Sequence, residues 1–150
     1  MATKISTING ITLVTMHSSP ARVEFIAEIF ERLSKHSINV DMISMSPTHA
    51  AVTELSFTIS DNDLIETLKF IKEVKTDLGV KSIVSSVNHK ISVFDPDMKN
   101  TPGVAAKVFS SVKASDADIR LITTSEVEIS LLVSEADFDS MLVLLEKAFA

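Results

Sequence analysis

The chain has 150 residues, 45% hydrophobic and 23% charged, with no cysteine, tryptophan or tyrosine and a formal charge of −6 at pH 7. This is the composition of a globular protein; lacking cysteine, it excludes disulfides, thiol nucleophiles and thiolate metal sites, which fits a cytoplasmic location. Net negative charge and the missing stacking residues exclude nucleic acid as a partner, and no apolar run approaches the ~18 residues that span a bilayer.

The opening "MATKISTING" lacks the charged-then-apolar pattern of a signal peptide. Within it, residues 3–8 read as a strand with no partner in the module that follows. Residues 11–16 form an apolar strand that stops at Met16-His17-Ser18-Ser19. A helix is expected over residues 20–35, with Ser19 as N-cap and Pro20 at its first position, where a missing N–H costs nothing. Val23, Ile26, Ala27, Phe30 and Leu33 recur at helical spacing and form its apolar face. Residues 38–44 and 52–59 alternate as half-buried strands. Ser60 and Asp63 open a second helix in the manner of a capping box, Gly79 stops it, and residues 81–87 supply a further strand.

The pattern then starts again. "EFIAEIFERLSKHSINVDMIS" aligns without a gap on "GVAAKVFSSVKASDADIRLIT", and "ELSFTISDNDLIETLKFI" aligns on "EISLLVSEADFDSMLVLL". The first copy holds about five extra residues around Pro47-Thr48-His49. In the second copy residues 90–94, 119–124 and 127–133 are strands. Thr101-Pro102 caps one helix, and Ser134 with Asp137 opens the last. The order βαββαβ predicts two ferredoxin-like α+β modules. The second copy has no closing strand, so residues 3–8 are expected to cross over and provide it. The modules are therefore residues 10–88, and residues 1–9 plus 89–150.

The fold alone leaves function open. The central strands "INVDMIS" and "DIRLIT" carry none of the aromatics an RNA-binding sheet needs. Gly10, Gly79 and Gly103 form no phosphate loop, and the four histidines have no metal-ligand spacing. His36 reads as a helix-end cap, His49 as a solvated hairpin residue and His89 as part of a turn between modules. No catalytic residue, metal or cofactor is expected. His17 and Ser18 have two readings, a polar loop with a helix cap or one wall of a ligand site. In the second, N–H groups at the helix start attract a carboxylate and Asp41 attracts an ammonium, which suits an amino acid. Asp41 reads equally as a solvated strand-end acid.

"HSINVDMISMS", "TPGVAAKVFSSV" and "ADIRLITTSEVEISLLVSEADFDSMLVLLEKAF" resemble the paired ACT modules of aspartate kinases, and "TMHSS" is similar to the Thr-Leu-His-Ser of lysine-sensitive members. The resemblance runs from about residue 5 to residue 149. It implies an allosteric module that binds lysine or threonine between the first modules of two chains and turns down a kinase module acting on aspartate. It also implies a strand ahead of the first module completing the second. The effector site would take Met16, His17, Ser18 and Ser19 from the first loop, Asn39, Val40 and Asp41 from the next strand, and then Ser44, Met45 and Ser46. Glu24 stands where the second copy has Gly103, and Pro47 replaces a glutamate retained as Glu126 in the second copy. The family's catalytic Lys-Phe-Gly-Gly is absent, so the expectation is a regulatory fragment, a separate regulatory subunit or a stand-alone ACT protein. Homodimerisation and a kinase module or chain as partner follow from the resemblance. The alternative is an assembly module that holds subunits together without a ligand.

Overall fold

The computed structural model describes residues 3–150. They form six strands and four α-helices: β1 (Lys4–Pro20), α1 (Val23–Lys35), β2 (Ile43–Met45), β3 (Val52–Ser60), α2 (Leu64–Leu78), β4 (Ser82–Phe94), α3 (Val104–Val112), β5 (Ile119–Thr124), β6 (Glu128–Ser134) and α4 (Glu135–Ala148). The chain divides into two compact modules. The first is Gly10–Ser86; the second joins the residues up to Asn9 with Val87–Ala150. Each is an α+β sandwich. No described helix is long and apolar enough to cross a membrane.

In the first module the strand order is β2-β3-β1-β4, using β1 from Gly10 onward and β4 up to Ser86. Alternate strand residues Val14, Met16, Leu55, Phe57 and Ile59 share a core with Ile29 and Leu33 of α1 and Phe70 and Val74 of α2. The period of two on the strands and 3.6 on the helices is what turns these side chains to one layer. Phe57 stands edge-on to both Phe30 and Phe70, with centroids 6.0 and 6.4 Å away.

The second module repeats the plan in the order β1-β4-β6-β5, with β1 contributing its first residues and β4 its last. Ile91, Val93, Ile129, Leu131 and Val133 meet Val108, Val112, Met141 and Leu145. Ile5 packs against this core, and the Thr3 hydroxyl donates to Asp95 at 3.1 Å.

Several boundaries differ from expectation. The segments expected as separate strands before and after Gly10 are one strand, β1, and the two expected around His89 are likewise one strand, β4. His89 is therefore not in a turn. It lies opposite Val133, nine-tenths buried, with its ring 4.6 Å from that of Phe138. Each long strand passes from one module to the other at a left-handed residue, Gly10 at φ 68° and Val87 at φ 60°.

Ser19 does not cap α1. The strand continues through it to Pro20, its hydroxyl turns to the Pro20 carbonyl, and Arg22 precedes the helix without a side-chain cap. Thr101 and Pro102 do not cap α3; Gly103, at φ 97°, does. Ser60 does accept the Asn62 N–H, but through a single 3-10 turn ahead of α2. The second strand is only Ile43–Met45; just before it the pairing is irregular, the Thr58 hydroxyl taking the Met42 N–H at 2.9 Å while the Thr58 N–H bonds the Met42 carbonyl and the Thr58 carbonyl takes the Asp41 N–H.

Candidate functional site

The first module's site residues are organised by a bulge in β1. Met16 faces Leu55 and Ser19 faces Thr53, so His17 and Ser18 together oppose the single residue Glu54. An extra residue in one strand is accommodated by a local left-handed conformation, and Ser18 adopts it at φ 51°. The His17 and Ser18 side chains are thereby turned out of the ladder, and both residues are exposed. His17 Nδ1 sits 3.1 Å from the Glu54 carboxylate. Met16 and Ser19 are fully buried; Met16 is part of the core, so what it offers a ligand is backbone.

Glu54 also holds the other side. Its N–H donates to the Ser46 hydroxyl at 2.8 Å and its carbonyl accepts the Ser46 N–H at 3.0 Å. The neighbouring Thr53 hydroxyl donates to the Ser46 carbonyl at 2.5 Å. Two residues further along, Ser44 pairs with Ser56, whose hydroxyl reaches Thr15 on β1 at 3.3 Å. Met45 pairs with Leu55 and is about half exposed. The structure thus brings Met16–Ser19 and Ser44–Ser46 to the two flanks of β3 at the same level. It presents a carboxylate, an imidazole and several hydroxyls there: groups able to bind a small polar molecule.

Asn39, Val40 and Asp41 lie elsewhere in the module. The Asp41 N–H donates to the Thr58 carbonyl, so it stands level with Leu13 on β1. Thr58 is four residues along β3 from Glu54, about 13 Å at ~3.3 Å per residue. Within one chain Asp41 does not join the His17 cluster. Asn39 and Val40 line a separate cleft of about 410 Å³ with Phe30, Leu33 and Ile38 at the C-terminal end of α1.

The N–H groups at the start of α1 are also differently placed than expected. Pro20 has no N–H, and that of Ala21 is bonded to the Ala51 carbonyl. Glu54 was missed from sequence because its link to His17 depends on the bulge register. The only signal was an acid opening an apolar strand. In the second module Arg120 occupies the position of Asp41 and pairs with Asp118 at 3.2 Å.

Residues 85–149 match the family model of the ACT domain. An aspartokinase of Bacillus sp. (strain MGA3) is 34% identical over 140 residues, covering 93% of this chain and 34% of that protein. The chain spans about a third of the length of the curated relatives it matches. The regulatory subunit of aspartate kinase from Thermus flavus superposes with a TM-score of 0.89 at 26% identity, with both chains fully covered. A structure of aspartokinase alpha and beta subunits superposes with a TM-score of 0.85 at 26% identity, covering 99% of each chain.

Proposed function

We propose that this chain, which belongs to the ACT-domain proteins of the aspartokinase kind, is a non-catalytic sensor in the cytoplasm that binds lysine or threonine and conveys that binding to an aspartate kinase module or chain. The observation that carries the reading is the bulge. It turns His17 and Ser18 outward beside Glu54, which also fastens Ser46. Polar side chains held by a rigid strand pair make a preorganised wall for a small ligand. The relatives that match along nearly the whole chain are aspartokinases and a regulatory subunit of aspartate kinase, which supports the regulatory role.

Asp41 enters through a second copy. β2 is the edge strand of its module, with Ile43 and Met45 about half exposed on it. An exposed apolar edge is a template for pairing with another strand. Two copies meeting antiparallel along β2 about a two-fold axis would bring Asp41 of one beside the Ser44–Ser46 end of the other. The cluster that one chain forms without Asp41 would then gain it in a homodimer, with the ammonium of the amino acid at Asp41 and its carboxylate toward the Ser18 side.

The test is thermal denaturation with millimolar lysine, threonine or methionine. A ligand at a hundred times its Kd that binds only the folded state adds about 2.7 kcal/mol, which in a body this size raises Tm by several degrees. Lysine is expected to act, or failing lysine, threonine. If none of the three moves Tm, the sensor reading falls and the assembly module without a ligand takes its place.

A further inference from the structure

We propose that His36 is a proton-operated clasp that fastens the C-terminal end of α1 to α2 and so sets the order of the segment that follows it. His36 ends α1, its N–H bonded to the carbonyls of Arg32 and Leu33. Its ring is wedged between two carboxylates of α2: Nδ1 is 2.9 Å from Glu66 and Nε2 is 3.2 Å from Glu73. These acids are two helical turns apart on one face, and the buried Phe70 between them meets the imidazole edge-on at 6.3 Å.

A neutral imidazole has one N–H and one lone pair. It can satisfy one of these carboxylates and must turn its lone pair on the other. The imidazolium donates to both, so the placement between two carboxylates suits the protonated ring.

The surrounding charges favour the same state. From α1, Arg32 reaches Asp77 and Glu28 at 2.8 Å and Glu73 at 3.8 Å, and Lys35 lines the same cleft. From α2, Lys69 lies 3.4 Å from Glu66. Four carboxylates therefore face three permanent cations, and the proton on His36 balances the cluster. The end of α1 also presents the negative pole of its dipole to the ring.

The bonds to Glu66 and then Glu73 raise the His36 pKa above its ordinary 6.5, against a smaller opposing effect of burial. The Glu66 carboxyl is held below its ordinary 4.5, first by His36 and then by Lys69. A raised histidine contributes its stability in full below pH 6.5 and loses it as pH rises through the raised value. Glu66 withdraws its share only as pH falls below 4.5.

The clasp has a local output. Ser37 follows at φ 57°, the Ile38 N–H returns to the Leu33 carbonyl, and this turn launches Asn39–Asp41. Fixing His36 fixes the launch; an unprotonated His36 frees one of the two acids and lets the turn fray. The inference stands apart from the ligand reading, since it needs no ligand.

It is tested on the full chain by following the histidine side chains by NMR from pH 5 to 9, with amide protection over residues 37–42. His36 should titrate above 6.5, and Glu66→Gln and Glu73→Gln should each lower its midpoint. Tm should fall from pH 6 to pH 8 more steeply in the wild type than in His36→Gln, with protection over residues 37–42 falling alongside. A His36 midpoint at or below 6.5, or an equal pH slope in His36→Gln, overturns the proposal. Should that variant not fold, the wild-type titration decides alone.

Discussion

Asp41 and Arg120 stand at equivalent positions of the two repeats and carry opposite charges. If Asp41 receives the ammonium of an amino acid, Asp41→Ala leaves a partly desolvated cation without its partner. That loss is on the order of 2–5 kcal/mol, at least about thirtyfold in affinity. Asp41→Asn should lose nearly as much, since charge and not shape is what the ammonium requires. Arg120→Ala, which removes the contact with Asp118 in the other module, should leave affinity intact. Calorimetric titration with lysine checks all three; wild-type affinity in Asp41→Ala, or equal losses at Asp41 and Arg120, would remove Asp41 from the site. At this scale His17 and Ser18 were legible as polar residues closing an apolar run, although β1 continues past them to Pro20. The role of Glu54 was not, because a bulge that sets two residues against one leaves no mark in composition or period.

The elements were legible where periodicity is strong and illegible where the tertiary partner decides. Pro20 reads as a helix start, yet it pairs with Val52 at the end of β1. The extra residues of the first copy, around Pro47-Thr48-His49, lengthen the β2–β3 hairpin, and in that copy Val52 and Thr53 pair with Pro20 and Ser19. The second copy lacks the insertion, and its α3 starts conventionally behind Gly103.

The hairpin tip itself carries no turn signal. His49 and Val52 exchange both backbone bonds, with Ala50 at φ 50° and Ala51 at φ 65° between them. Such a turn favours Asn-Gly. An L-residue in the left-handed region costs about 1–2 kcal/mol, and the entropy that glycine adds is only about 0.5–1 kcal/mol. Strain relief wins, so Ala50-Ala51→Asn-Gly should stabilise the chain by about 1–2 kcal/mol. Urea denaturation would show the midpoint rising with the slope unchanged. A lower midpoint would mean that the tip is not left-handed.

For the whole molecule, the internal repeat and the α+β plan were legible from the gapless alignment of the two copies. The length of β1 and β4 was not. The sequence reads as separate strands before and after Gly10 and on either side of a turn at His89, whereas β1 and β4 are each continuous, with left-handed steps at Gly10 and Val87. Residues up to Asn9 belong with Val87–Ala150, where Ile5 joins the core and Thr3 reaches Asp95. Deleting residues 1–9 should therefore cost the second module at least about 2 kcal/mol, roughly thirtyfold in amide protection. Gly10–Ser86 should lose much less. Equal protection in both modules of the truncated chain would make the segment dispensable.

That same discontinuity gives the protein a schedule. On the ribosome, everything the Gly10–Ser86 module needs has been made by the time Ser86 is added, so its folding waits on no residue translated later. The segment ending at Asn9 is made before the Gly10–Ser86 module and is satisfied after it. Its partners are still being translated for about 3–13 s at ~5–20 residues per second. Through that interval its backbone is an unclaimed edge on a nascent chain, open to chaperones and to the neighbouring polypeptide on the same message.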